Sequence, residues 1–176
     1  MKLSWMGKYR NVVEAMVRYG NAYSYAVTIK GVISDPPINS LQLQVLEYLI
    51  ENEERHDNMS QIANRLHIHM STFSKTVRQL ESFGLLERYH MNGNRKNVII
   101  IVTDRAKTLY EQYASGPNTE VWKKTFEKLD KLDDASVEAL VEILDLSSEY
   151  LFGELGRSAA KKADTFEPVR RDRKAP

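Results

Sequence analysis

Between residues 4 and 30, apolar side chains return every three or four positions: Trp5, Tyr9, Val12, Val13, Met16, Tyr19, Tyr23, Ala26 and Val27. That spacing lays them along one side of a helix. At 1.5 Å per residue it would be roughly 40 Å long, more than a small domain needs to cover its own core. The two prolines of SDPPIN, residues 34–39, end it. In SLQLQVLEYLIENEE, residues Leu41, Val45, Leu46, Leu49 and Ile50 line one face of a second helix, with Ser40 in the N-cap position. A polar connector follows. Then NMSQIANRL predicts a short helix: Asn58 is the N-cap and Gln61, three residues on, completes a capping box.

The next pattern has two faces. In HIHMSTFSKTVRQLESFGLLER, the apolar residues Phe73, Val77 and Leu80 form one stripe. Ser71, Ser74, Lys75 and Arg78 form another at i, i+3, i+4 and i+7. Gly84 stands where a helix ends on a left-handed residue. Leu85–Met91 and Val98–Thr103 are strand candidates around a turn at residues 92–97, which holds Asn92, Gly93, Asn94, Arg95 and Lys96. The five β-branched residues Val98–Val102 need a partner to bury them. Helical patterns return at DRAKTLYEQYA, are interrupted by SGPN at 115–118, and resume. Val121, Trp122, Phe126, Leu129 and Leu132 lie on one side, and Val137, Leu140, Val141, Leu144 and Leu151 on another. The polar tail 157–176 is expected to be disordered. A helix-turn-helix followed at once by a hairpin is a winged helix, so the fold class is mainly α with a small β-hairpin.

Charge adds direction to this picture. The net charge of the 176 residues is only +1. Residues 1–54 carry −1, 55–97 carry +4, 98–156 carry −6 and 157–176 carry +4. All four histidines, His56, His67, His69 and His90, fall in the basic centre. A basic centre between acidic flanks suits a nucleic-acid reader on a non-binding scaffold, although solvated faces also pattern charge. In a helix-turn-helix the second helix enters the major groove and its N-terminal residues meet base edges. Ser60, Gln61, His69, Met70, Ser71, Thr72, Ser74, Lys75 and Arg78 are the candidates on the two helices. The small hydroxyls permit close approach, and Arg78 can pair with guanine at two points. At the hairpin, Asn94, Arg95 and Lys96 would reach the minor groove, whose negative potential favours arginine. An ordinary amphipathic helix and a hairpin guarded by cations against edge pairing would carry similar residues.

The run MSQIANRLHIHMSTFSKTVRQLESFGLLER, with NRKNVIIIVT after it, resembles the multiple antibiotic resistance regulator (MarR) family of bacterial transcription factors. Ser60–Ala63, Ser71–Lys75, Leu80–Leu85, Asn94–Lys96 and Val102–Thr103 fall on the family's motifs without a gap. The motif match covers about residues 40–110, and the order of helices extends it to the whole chain. Four positions depart from the pattern. His67 replaces the turn glycine and should then sit at φ > 0. Asn94 replaces the wing aspartate, which leaves Arg95 less firmly aimed. Phe73 replaces a valine and Ala106 a glycine.

The resemblance implies a homodimer whose N- and C-terminal helices interleave. It divides the chain into a dimerisation helix and linker (1–38), a DNA-binding winged helix-turn-helix (39–103), C-terminal dimerisation helices (104–156) and a basic tail (157–176). It also implies a pseudo-palindromic double-stranded DNA operator, a repressor's role and a small aromatic effector, for which Tyr19, Tyr23, Tyr48 and Tyr110 are candidates. Aromatic residues at helical spacing are more often core. His67 and His69 form an H-x-H pair, but His69 belongs to the DNA-facing N-cap, and neither a metal nor another cofactor is expected.

Other classes fare less well. A winged-helix protein-interaction module is the alternative, yet it gives no reason to gather cations around the two DNA-facing elements. Nucleotide-binding, zinc-protease and nucleophile-elbow motifs are absent, and so is cysteine. The lack of cysteine suits a reducing, cytoplasmic setting. Lys8, Arg10, Glu14 and Arg18 interrupt any apolar leader. No uncharged apolar run reaches the roughly 18–20 residues of a membrane span.

Overall fold

The structure, a computed structural model, describes residues 4–29, 31–91, 94–116 and 119–155. Asn92, Gly93 and the basic tail lie outside them. The chain divides into two compact units, residues 1–119 and 120–176.

In the first unit, the single long helix expected from residue 4 to 30 is broken. Ser4–Tyr9 is a 3₁₀ segment, and within it Gly7 takes φ 50° and ψ −133°, a conformation that glycine adopts at little cost. Helix α1 then runs Arg10–Ala26, about 26 Å rather than 40 Å. None of its residues is buried. Helix α2 spans Ser40–Glu51, and Asn39, not Ser40, is its N-cap. The Asn39 side chain accepts from the Gln42 N–H and the Gln42 side chain accepts from the Asn39 N–H, both at 2.9 Å. The remaining end of the Gln42 carboxamide donates to Gln79. This largely buried glutamine therefore joins the start of α2 to the fourth helix.

Helix α3, Met59–Arg65, carries the expected capping box of Asn58 and Gln61. Helix α4, Met70–Ser82, follows after a short turn. It ends on Phe83 and Gly84, the latter at φ 69°. The Gly84 N–H donates to Glu81 O and the Leu85 N–H to Leu80 O. This is a Schellman closure, stabilised by two buried leucines, Leu80 and Leu85.

Strands β1, Leu86–Met91, and β2, Asn94–Val102, pair antiparallel with Leu86 opposite Val102 and Tyr89 opposite Ile99. The register shifts between His90 and Met91. Asn58 adds an antiparallel bridge to Ile99, so the cap of α3 is attached to the second strand. The β-branched run is not uniformly buried: Ile100 and Val102 face the core, whereas Ile101 is 46% exposed. Strand β1 packs on α4, and β2 packs on α2 and α3. Helix α5, Asp104–Ala114, is capped by Thr103 and packs on α2. The core of this unit gathers Ile38, Leu46, Ile62, Phe73, Val77, Leu80, Leu85 and Leu86.

In the second unit, helices α6, Glu120–Leu129, and α7, Asp134–Glu149, are followed by a π-helical turn, Tyr150–Leu155. Asp133 caps α7 by accepting from the Ser136 N–H at 2.8 Å. Trp122 stacks on Phe126 with ring centroids 6.2 Å apart. Both rings are exposed, as are Leu140, Val141, Leu144 and Leu151 of the expected stripe. No helix of the described residues is long and apolar enough to cross a membrane.

Candidate nucleic-acid interface

The turn between α3 and α4 is built from local hydrogen bonds. The His67 N–H donates to Asn64 O and the Ile68 N–H to Ala63 O, a second Schellman pattern. His67 occupies its left-handed position at φ 50°, as the missing glycine predicted. Such a conformation costs a non-glycine residue about 1–3 kcal/mol. Buried Ile62, Ala63 and Ile68 hold the turn against the core.

Helix α4 then divides by face. Phe73, Thr76, Val77 and Leu80 are buried. Thr76, which its polarity left out of the expected stripe, satisfies its hydroxyl by donating to Thr72 O at 3.0 Å. Met70, Ser71, Thr72, Lys75 and Arg78 are exposed, and Ser74 is half-buried. The Arg78 Nε donates to Ser74 O at 3.2 Å, which lays the guanidinium along the exposed side of its own helix. His69 is the N-cap residue but its side chain does not cap the helix. The first-turn N–H groups therefore keep the partial positive charge that attracts phosphate.

On α3, Ser60 and Gln61 are exposed. The Gln61 side-chain oxygen accepts from the Asn58 N–H at 2.9 Å, so part of this DNA-facing candidate is committed to the cap. Asn94, Arg95 and Lys96 were expected in the turn. The backbone places them at the start of β2 instead, with Asn94 opposite Met91. Their side chains lie outside the described features.

The basic centre is less uniform than its sequence suggests. Arg55 pairs with Asp57 at 3.4 Å, and Arg88 pairs with Glu81. Those two cations each have a carboxylate partner. Lys75, Arg78 and, at the end of α3, Arg65 remain on the exposed surface. Arg65 was not singled out from sequence, where only the charge of its block marked it.

The four candidate tyrosines do not share one set of partners. Tyr19 stacks on Tyr23 with centroids 6.4 Å apart. The Tyr23 hydroxyl donates to Gln44 at 2.8 Å and that of Tyr110 donates to Glu47 at 2.6 Å. Tyr113 lies against Tyr110. Burial, then the Glu47 bond, pushes the Tyr110 phenol well above its ordinary range. Burial and nearby Tyr19 and Glu47 raise that of Tyr23, and burial and Glu47 that of Tyr113. These phenols are neutral donors at physiological pH. Tyr48 does not join them. Its hydroxyl donates to Asp57 at 2.8 Å, and burial followed by that bond raises its pKa. Among the described residues, no three His, Asp or Glu side chains are grouped to hold a metal.

Residues 38–98 match the sequence profile of the MarR family. This segment is a MarR-family domain. Its bounds enclose α2, α3, α4, β1 and most of β2. The MarR fold extends beyond it. A MarR protein from Peptoclostridium difficile is 15% identical, with a TM-score of 0.59 over 90% of this chain and 96% of that one. The Staphylococcus aureus MepR–DNA complex is 19% identical, with a TM-score of 0.51 over 86% and 99%. BpsR of Bordetella bronchiseptica, whose DNA binding is regulated by 6-hydroxynicotinic acid, is 21% identical, with a TM-score of 0.55 over 85% and 97%. No curated protein matches the sequence. MarR-family proteins are transcriptional regulators, not enzymes.

Proposed function

We propose that this chain is a cytoplasmic, homodimeric regulator that binds a pseudo-palindromic double-stranded DNA operator and acts as a repressor. The observation that carries the reading is the division of α4. Four buried side chains fix its depth and rotation, while Ser71, Thr72, Lys75 and Arg78 stand exposed on the opposite side. Ser60, Gln61, His69, Met70 and Ser74 flank that surface. Arg95 and Lys96 of β2 supply the second, minor-groove contact. MepR, a neighbour in fold, is bound to DNA.

Dimerisation is supported by apolar residues that stay exposed: Trp5, Tyr9, Val12 and Tyr19 in the first unit, Leu140, Val141 and Leu144 in the second. Exposed large apolar side chains in such number mark an interface. Two recognition helices would then meet half-sites ~34–36 Å apart, one turn of DNA. A small aromatic effector releases the DNA, with Tyr19, Tyr23 and Tyr110 around Glu47 as its candidate contacts. Regulation of BpsR by 6-hydroxynicotinic acid supports that class of ligand.

The test is selection of genomic fragments on the purified chain, followed by anisotropy titration of the recovered sequence and sedimentation of the free protein. A recurring inverted repeat, bound by a dimer, is expected. Recovery of unrelated fragments, or a stable monomer at micromolar concentration, overturns the reading.

A further inference from the structure

A cavity of about 230 Å³ opens between the end of α2, the connector 52–57 and β2. Leu49, Ile62, Ile100 and Val102 give it apolar walls. Its rim is different. The Asp57 carboxylate, whose side chain is only 14% exposed, accepts from the Tyr48 hydroxyl at 2.8 Å. Its other partner, the Arg55 Nε, is more distant at 3.4 Å and half-exposed. An ionised carboxylate has about four acceptor positions, so Asp57 retains capacity for a further donor. Glu53, also on the rim, pairs with Lys107 at 2.8 Å where both are about 40% exposed. His56 at φ 49° turns the connector here.

We propose that this cavity binds a small primary arylalkylamine, its ring between α2 and β2 and its ammonium group on Asp57. The size fits: a dry cavity of about 150 Å³ holds benzene, so 230 Å³ holds one ring with a short side chain. The charge fits too, because an ammonium forms a charge-assisted hydrogen bond with the Asp57 carboxylate, whose ion pair with Arg55 is long at 3.4 Å. The site shares none of its lining residues with the Tyr19–Tyr23–Tyr110 cluster.

Occupancy has a structural consequence. Ile100–Val102 forms one wall, and the adjoining Ile99 is bridged to the α3 cap at Asn58. A ligand between α2 and β2 presses on the strand that carries Arg95. This consequence rests on the DNA-binding reading; the binding itself does not.

The experiment titrates the full chain, without DNA, with 2-phenylethylamine, 2-phenylethanol and phenylacetate, followed by amide NMR shifts and calorimetry. The amine is expected to saturate, with shifts confined to residues 48–62 and 99–102. The alcohol should bind roughly tenfold more weakly or worse, the scale of a lost hydrogen bond to a charge, and phenylacetate not at all. Asp57→Asn keeps an acceptor for Tyr48 but removes the charge, and should abolish the preference for the amine over the alcohol. Ile101→Trp, at the exposed mouth, should block binding with an unchanged melting temperature. Equal binding of the three probes, shifts centred on Tyr23 and Tyr110, or no saturation overturns the site. In a second arm, the amine is added to the protein–DNA complex. A change in affinity that Ile101→Trp abolishes supports the link to the wing, and amine binding without such a change refutes that link alone.

Discussion

Arg78→Ala separates base reading from simple charge attraction, because the structure isolates this side chain from the core. Arg78 stands on the exposed side of α4, away from Phe73, Val77 and Leu80. Its bond from Nε to Ser74 O is exposed to water. Truncation leaves no cavity and no buried polar group, so stability should change by no more than about 0.5 kcal/mol. The effect on DNA should be far larger. If the guanidinium reads a guanine, the loss is about 1–3 kcal/mol per half-site, roughly 5- to 150-fold, and discrimination at one base position collapses. If it touches phosphate alone, binding weakens on every sequence. In a dimer, two lost contacts would then lower the slope of log affinity against log salt by about 1.8. Anisotropy titrations of cognate and scrambled duplexes at several salt concentrations distinguish these outcomes, with Lys75→Ala as the uniform, phosphate-type companion. An Arg78→Ala protein of unchanged melting temperature that binds its operator at wild-type affinity would refute the placement of α4 on DNA.

Three further outcomes follow from the fold. Phe73→Ala, at a fully buried site, should cost about 3–5 kcal/mol in urea unfolding; a loss below 1 kcal/mol would mean that the anchor of α4 is elsewhere. Asn58→Ala removes the acceptor for the Ser60 and Gln61 N–H groups, and should cost about 1 kcal/mol; hydrogen exchange confined to α3 reads it, and unaltered protection there contradicts the capping argument. The Ser136 hydroxyl and N–H both hold the Asp133 carboxyl below its ordinary value. A depressed folded pKa stabilises above the unfolded value and loses that contribution as pH falls through the folded one. Carboxyl NMR should therefore show Asp133 titrating below a free aspartate, with the start of α7 fraying only in acid; an ordinary midpoint would exclude the cap.

Much of the candidate interface was legible in the sequence because its determinants are local. The capping box of Asn58 and Gln61 spans four residues. The left-handed position of Gly84 follows from where α4 must stop, and that of His67 from the turn glycine that the family resemblance implies there. The two faces of α4 follow from 3.6-residue periodicity. Legibility ended where two elements had to choose each other. Five equivalent β-branched residues gave no sign that Ile101 would face outward while Ile100 and Val102 face inward. Ser40 and Asn39 are both competent caps, and only the backbone at Asn39, extended at ψ 170°, decided between them. Four tyrosines looked alike, but Tyr23 and Tyr110 found Gln44 and Glu47 while Tyr48 found Asp57.

The sequence by itself thus determined the order of helices and strands, the Asn58–Gln61 cap of α3 and the polar face that α4 presents. Each depends on residues within one or two turns of one another. The folded backbone decided which cations of the basic centre are paired. Arg55 and Arg88 carry the same charge as Lys75 and Arg78, yet the fold sets Asp57 and Glu81 beside the first pair. Tertiary structure decided that β2 packs on α2 and α3, which leaves a cavity behind the wing with a carboxylate at its rim. The packing of β2 depends on partners distant in sequence, and close packing selects among them only once the whole unit has formed.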